Sequence, residues 1–384
     1  MKCFMCGSEE NEKICDLCSN MQILGTFFKE GETSVVACKK CGNVFMDLNA
    51  TQDDFNKYYM SDSAHALSYY EVYGEEHTNE YFTDILNKFE KYIDKNSNII
   101  DVASGVGDFS MFLKNKGYKN VSALDISERC IKILKEKNID AILSDTVHFD
   151  KSIEGKFDLA VFGHSLEHYL DFKSAILSAK KMLKKNGYLY IEVPDASRYC
   201  DIDAVPYTMF TLEHTFHLTL DTMDNFARAF GLKLIDKNTF YKAGSYHVLY
   251  GLFQNDGEVK EVKYSSEAKD AVTKYYEYSK KMIKPAVKQF EESKEKLILW
   301  GIGASTALLM NNTFDNCNVE MLIDRNPARQ GLKYKIGGRE LTIQDPSDIK
   351  DDDATIVILP YWYKDSISKQ IKEMGFKNKV VALS

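Results

Sequence analysis

The run Ile99-Ile100-Asp101-Val102-Ala103-Ser104-Gly105-Val106-Gly107-Asp108 constrains the fold of this 384-residue chain more than any other feature. A buried strand enters a tight glycine turn and then a helix, a junction where backbone passes close to a ligand. Around it, short apolar runs alternate with helical segments: Val121 to Leu124, Ala141 to Leu143, Leu159 to Phe162 and Tyr188 to Val193. That alternation predicts an α/β fold with a parallel sheet covered on both faces. A leading helix is expected over Glu80 to Tyr92, where Tyr81, Phe82, Ile85, Leu86 and Phe89 fall at helical spacing. Asp125 ends the second strand, where a carboxylate can take two ribose hydroxyls. A dinucleotide would need its pyrophosphate at the helix N-terminus, and Asp108 would repel it.

A second, smaller α/β series begins at Leu297 to Trp300 and continues through Met321 to Ile323, Ile356 to Leu359 and Val380-Val381. Lys263 to Lys296 reads as a long charged helix joining the two. Domains are therefore expected over residues 1–65, 66–258 and 259–384. Six of the nine cysteines precede residue 42 in Cys-x-x-Cys pairs, which reads as metal ligation in a reducing compartment. Cys3, Cys6, Cys38 and Cys41 form two knuckles, each followed by a glycine whose turn brings backbone N–H toward sulfur, and four thiolates close a structural zinc site. Cys15 and Cys18 have a spacing that also permits ligation, and an iron–sulfur cluster is the alternative. The first 60 residues look irregular and too small to fold without metal.

The net charge of -8 provides no field that would gather nucleic acid. No apolar stretch suits a membrane span or a signal peptide, so a cytoplasmic protein is expected. Its expected partner is a small molecule, and its state a monomer or small homo-oligomer.

The order and spacing of Gly105, Gly107, Asp125, Leu143-Ser144-Asp145 and Phe157 to Phe162 resemble the class I, Rossmann-like S-adenosylmethionine methyltransferases. The resemblance implies cofactor contacts from Asp101, Ala103, Gly105, Gly107, Asp125, Ile126, Asp145 and His164, with Asp125 on the ribose and Asp145 on the adenine. Nearly the whole chain also resembles the nucleotide-sugar C-methyltransferases of deoxysugar pathways, which join a zinc-binding N-terminal domain, a methyltransferase core and a small C-terminal α/β domain. That likeness is carried by the knuckles, by Leu212-Glu213-His214-Thr215-Phe216-His217-Leu218 with Gly244-Ser245, by Gly301-Ile302-Gly303-Ala304-Ser305, and by Asp324-Arg325-Asn326-Pro327 with Leu359-Pro360-Tyr361-Trp362. It implies an active site of Glu213, His214 and His168 with His214 as the base. Tyr59, Thr211, Gly244, Ser245, Gly303 and Asp324 would contact the acceptor. The family usually carries tyrosine and histidine where Thr211 and Leu212 stand here.

Carbon methylation needs a neighbouring carbonyl: a base takes the α-proton of a ketosugar, donors stabilise the enolate, and carbon attacks the methyl group. Glu213 and His214 can share one pocket only if they lie in a loop, since neighbours on a strand point to opposite faces. The alternatives are O- or N-methylation of a sugar nucleotide or related small molecule, and a zinc-ribbon binding module without catalysis. In the C-terminal domain, Gly301-x-Gly303 opening a helix and Asp324 after the next strand could hold the nucleotide half of such an acceptor.

Overall fold

The computed structural model describes residues 1–26, 28–61, 67–201, 205–242, 246–350 and 353–383. The N-terminal segment, expected to be irregular, contains three antiparallel strands. β1 (Asn11–Asn20) pairs antiparallel with β2 (Glu30–Cys38), and β2 with β3 (Val44–Asp47). Register shifts at Lys13/Cys15 and Asp16/Cys18 break the inside–outside alternation that would have revealed β1 in the sequence. α1 (Gln52–Met60) starts at a reciprocal capping box between Thr51 and Asp54.

The middle of the chain supplies α2 (Tyr69–Tyr73), α3 (Glu75–Phe89), β4 (Asn98–Val102), α4 (Asp108–Asn115), β5 (Asn120–Asp125), α5 (Glu128–Glu136), β6 (Asp140–Leu143) and β7 (Phe157–Gly163). Then come α6 (Phe172–Met182), β8 (Leu183–Pro194), β9 (Phe216–His217), α7 (Leu220–Phe230), β10 (Lys233–Tyr241) and β11 (His247–Gln254). The strands form one sheet in the order β10-β11-β8-β7-β4-β5-β6, except β9, which joins β3. β8-β7-β4-β5-β6 are parallel, as their continuous apolar runs require, and β11 runs against β8. This is a Rossmann-like core with an antiparallel edge.

α8 (Glu267–Ser293) leads to β12 (Lys296–Trp300), α9 (Ala307–Thr313), β13 (Asn318–Ile323), β14 (Lys333–Ile336), β15 (Arg339–Gln344), β16 (Thr355–Ile358), α10 (Lys364–Glu373) and β17 (Val380–Ala382). These strands make a six-stranded sheet in the order β14-β15-β13-β12-β16-β17.

The apolar residues of the first 60 do not stand alone. Cys15, Leu17, Met21, Phe28 and Val35 share one cluster with Val272 and Tyr275 of α8 and Leu308 of α9. This core is shared with elements 200 and more positions away, which no local pattern can show. Among the described residues no helix is long and apolar enough to cross a membrane.

Candidate active site

β4, β5 and β7 end on the same side of the sheet, where open parallel sheets place ligands. The loops that follow them, with α1, line a cavity of about 320 Å³. Its wall includes Ala103, Gly105, Asp125, Ile126, Asp145, His164, His168, Tyr59 and Glu213. A larger, more open depression of 830 Å³ beside Asp221, Arg228 and Tyr264 contains none of the expected site residues.

The glycine turn is built for close approach. Gly107 has φ +77°, and a Cβ there would lie 2.2 Å from Leu134 Cδ2, so only glycine fits. Gly105 has φ +56° and open space on its Cβ side. Ala103 also adopts a left-handed φ of 55°, a cost of about 1 kcal/mol that glycine would avoid. Asp125 is held by its own backbone: Gly105 N donates to Oδ2 and Ser127 N to Oδ1, both at 2.8 Å. Each oxygen keeps a lone pair, so a ribose diol finds two preset acceptors. Burial raises the pKa of Asp125, and the amides of Ser127 and Gly105 act against that rise. Asp101 stands behind the turn rather than on the cavity wall. It accepts from Ser110 Oγ at 2.7 Å, and burial lifts its pKa to about 7. Its part is to tie β4 to α4, so the expected direct contact is corrected. Asp145 accepts from Asn56 Nδ2 at 3.5 Å and pairs with His148 Nδ1 at 2.8 Å.

At the other end, Glu213 and His214 do lie in a loop, which ends at β9. Tyr58 Oη donates to Glu213 Oε1 at 2.7 Å, and Thr211 Oγ1 lies 3.5 Å from Oε2. Tyr59 Oη is 3.0 Å from His168 Nδ1, so α1 delivers two phenols to the site. The rings of His168 and His214 meet edge to face at 5.1 Å. Burial, and then the neighbouring His168, push the pKa of His214 down to about 3, and among the described residues its buried Nδ1 has no partner. A base so reluctant to protonate is not what the sequence led us to expect of His214. His164, in a left-handed backbone at φ 50°, lies between two buried carboxylates. Its Nδ1 is 3.3 Å from Glu167 Oε1; its Nε2 is 3.0 Å from Glu192 Oε1, off the line a hydrogen bond needs. Burial raises the pKa of Glu167, but the contact with His164 and the nearby His168 and His214 outweigh it and bring it to about 2.

Two expected contacts, Gly244 and Ser245, lie outside the described residues. At the C-terminal glycine turn a side chain lies against the backbone. Arg329 Nη1 would lie 2.8 Å from a Cβ on Gly303, and Asp324 accepts from Arg329 Nη1 at 3.3 Å and from Asn326 N at 2.8 Å. A guanidinium thus lies on the turn expected to take the nucleotide half of an acceptor. Leu212 N donates to Ala304 O, which fixes this turn against the Glu213 loop.

The four knuckle cysteines converge. Cys3 Sγ is 3.6 Å from Cys41 Sγ, and Cys6 Sγ 3.5 Å from Cys38 Sγ, close to the separation of about 3.8 Å that four thiolates keep around zinc. The left-handed Gly7 and Gly42 donate their own amides to the carbonyl oxygens of Cys3 and Cys38 and so close each knuckle, and backbone N–H groups turn toward sulfur as expected: those of Met5 and Cys6 to Cys3, of Ser8 to Cys6 and of Asn43 to Cys41. Cys15 is buried in the shared apolar cluster instead.

Residues 74–237 match the family model described as "Methyltransferase domain". That stretch is a methyltransferase domain. The chain is 34% identical over 108 residues to a ribosomal protein L11 methyltransferase of Staphylococcus haemolyticus, covering 27% of this chain and 34% of that protein. It is 31% identical over 104 residues to the ubiquinone/menaquinone biosynthesis C-methyltransferase UbiE of Rickettsia typhi, covering 24% of this chain and 42% of that protein. The chain thus spans about a third of the length of the first curated relatives it matches. Among solved structures, it is similar to the 1,6-didemethyltoxoflavin-N1-methyltransferase of Burkholderia thailandensis, with 14% identity, TM-score 0.40, and coverage of 56% of this chain and 96% of that one.

Sequence reasoning missed the roles of Glu192 and Asn56.

Proposed function

We propose that the chain is an S-adenosylmethionine-dependent methyltransferase acting on a nucleotide-linked ketosugar, and that it methylates carbon through an enolate. The observation that carries this reading is the junction, within one cavity, of the Asp125–Gly105 ribose cradle with the Tyr59–His168 and Tyr58–Glu213 pairs. Asp125 and Asp145 would hold the nucleoside, and Ala103, Gly105 and Ser165 would flank the amino-acid end. S-adenosylmethionine bound there supplies an electrophilic methyl group.

We assign the base to His168 rather than His214, because His168 lines the cavity and His214 is held far from protonation. With Nδ1–H donating to the Tyr59 oxygen, Nε2 of His168 keeps the lone pair that takes the α-proton. Tyr59 lines the cavity, and burial keeps its phenol protonated as a donor for a developing oxyanion, while the proton of Tyr58 is committed to Glu213 and holds that carboxylate in place. The curated relatives are named for methylating different acceptors, so their likeness supports the cofactor half of this reading and leaves the acceptor to the chain's own chemistry. Cys3, Cys6, Cys38 and Cys41 would bind a structural zinc, since four thiolates leave no open position.

Incubating the enzyme with a panel of nucleotide-linked 4-ketosugars in deuterium oxide tests the acceptor. Carbon methylation predicts exchange of the α-proton, lost in His168→Ala. Methylated product without exchange would instead indicate transfer to oxygen or nitrogen.

A further inference from the structure

We propose that Glu167, His168 and His214 form a second metal site, for a divalent transition ion such as zinc, and that an ion there excludes the methyl-transfer chemistry. The binding stands on geometry alone; its effect on the chemistry rests on reading His168 as the base.

Two loops bring the three side chains together. Glu167 and His168 follow β7, and His214 precedes β9. Thr215 stitches the loops: its amide donates to Glu167 O at 2.8 Å, and its hydroxyl to Tyr169 O at 2.7 Å. One ligand atom from each of Glu167, His168 and His214 then lies within 4.8 Å of the other two. Zinc bonds of about 2.1 Å set neighbouring ligand atoms about 3.4 Å apart, so shifts of about 1 Å complete the shell.

Two of these side chains carry atoms that the protein leaves unbonded. Glu167 Oε1 faces His164 Nδ1 at 3.3 Å, while its Oε2 is buried with no partner among the described residues. His214 Nδ1 is buried in the same condition. Unbonded buried polar atoms are costly. An imidazole nitrogen can offer a lone pair as a carboxylate oxygen does, and one cation meets both. The supporting contacts of a metal site are also present: His164 backs the carboxylate, and Tyr59 Oη lies 3.0 Å from His168 Nδ1. Two imidazoles and a carboxylate suit zinc, iron or nickel and, unlike four thiolates, leave a coordination position open. His168 lines the cavity, which gives an ion its entry path.

A neutral imidazole has one nitrogen lone pair in its ring plane. An ion on His168 Nε2 takes that pair directly, and an ion on Nδ1 forces the proton onto Nε2. Either way the atom that accepts the α-proton is lost, so metal and methyl transfer compete for one histidine.

Cobalt(II) titrated into the full-length, zinc-reconstituted protein tests the site. The wild type should bind one further ion per chain, with visible bands of nitrogen and oxygen ligation; a thiolate charge-transfer band marks any cobalt entering the cysteine cluster instead. Glu167→Gln and His214→Ala should each weaken that binding about tenfold or more, whereas an ion on the exposed His148–Asp145 pair would survive both. No further ion in the wild type, or undiminished binding in the variants, would overturn the proposal. A second reading needs no variant. Acylation by diethyl pyrocarbonate, followed by mass spectrometry, should mark His168 before cobalt is added and spare it at saturation, while the exposed His77 is marked throughout. Equal marking of His168 in both states, or none in either, contradicts us. Wild-type protein that binds cobalt in this way but not S-adenosylhomocysteine would remove the methyltransferase reading and leave the metal site standing.

Discussion

The chain builds the same device twice and lays an arginine side chain over one of them. β4 and β12 each run into a Gly-x-Gly turn, and each next strand is followed or ended by an aspartate, Asp125 or Asp324. At the first turn the aspartate is oriented by backbone amides, and Gly105 faces empty space. At the second, a side chain from the same domain, Arg329, lies on Gly303 and engages Asp324. A motif therefore specifies a backbone path; whether it receives a ligand depends on what the rest of the chain packs over it.

The largest effect expected from this contrast is on turnover. His168→Ala should slow methyl transfer about a hundredfold to ten-thousandfold while S-adenosylhomocysteine affinity stays near wild type, because the histidine lies at the acceptor end of the open turn's cavity. Single-turnover rates beside calorimetry check it. If His168→Ala turns over normally and His214→Ala does not, the assignment of the base returns to His214.

Loss of the thiolate cluster should come next. Structural zinc contributes about 10 kcal/mol or more to folding in isolated fingers. Here the shared apolar cluster softens that dependence, so Cys38→Ser should lose one bound metal per chain and lower the melting temperature without unfolding the protein. Cys15→Ser should keep the metal. Metal content by mass spectrometry and a melting curve decide it, and no metal in the wild type removes the zinc assignment.

Glycine substitutions sharpen the contrast between the turns. Gly107→Ala places a Cβ against Leu134 in left-handed backbone, and should cost about 1–3 kcal/mol in chemical denaturation. Gly303→Ala meets only the end of Arg329 in extended backbone, and a cost above about 1 kcal/mol would show that the second turn is as constrained as the first.

The smallest effect is electrostatic. The folded pKa of Asp101, about 7, lies above its unfolded value, so the folded state holds the extra proton between about pH 4 and 7. Asp101 therefore favours folding below about pH 4 and progressively loses that contribution as pH rises to 7. Asp101→Asn should flatten the fall in melting temperature across that window, and an unchanged slope would contradict it.

Much of this was legible because parallel strands are buried on both faces and announce themselves as short, mostly apolar runs, as β4, β5, β7 and the second half of β8 do. Asp125 and the glycines were legible because their work is local. β1 and β2 were not, since register shifts and cysteines interrupt their alternation, and neither were β10 and β11, which the α/β rhythm does not call for. The acceptor end could not be read as an assembly, since Tyr58 reaches Glu213 across 155 positions.

The central claim is that the chain has one methyl-donor site and that it lies at the first turn. Calorimetric titration of S-adenosylhomocysteine into wild type, Asp125→Ala and Asp324→Ala tests it most directly. We predict one ligand per chain in the wild type, a loss of about 1–3 kcal/mol in Asp125→Ala from the missing charged hydrogen bonds, and no change in Asp324→Ala. Undiminished binding in Asp125→Ala, weakened binding in Asp324→Ala, or two equivalents per chain would contradict the account.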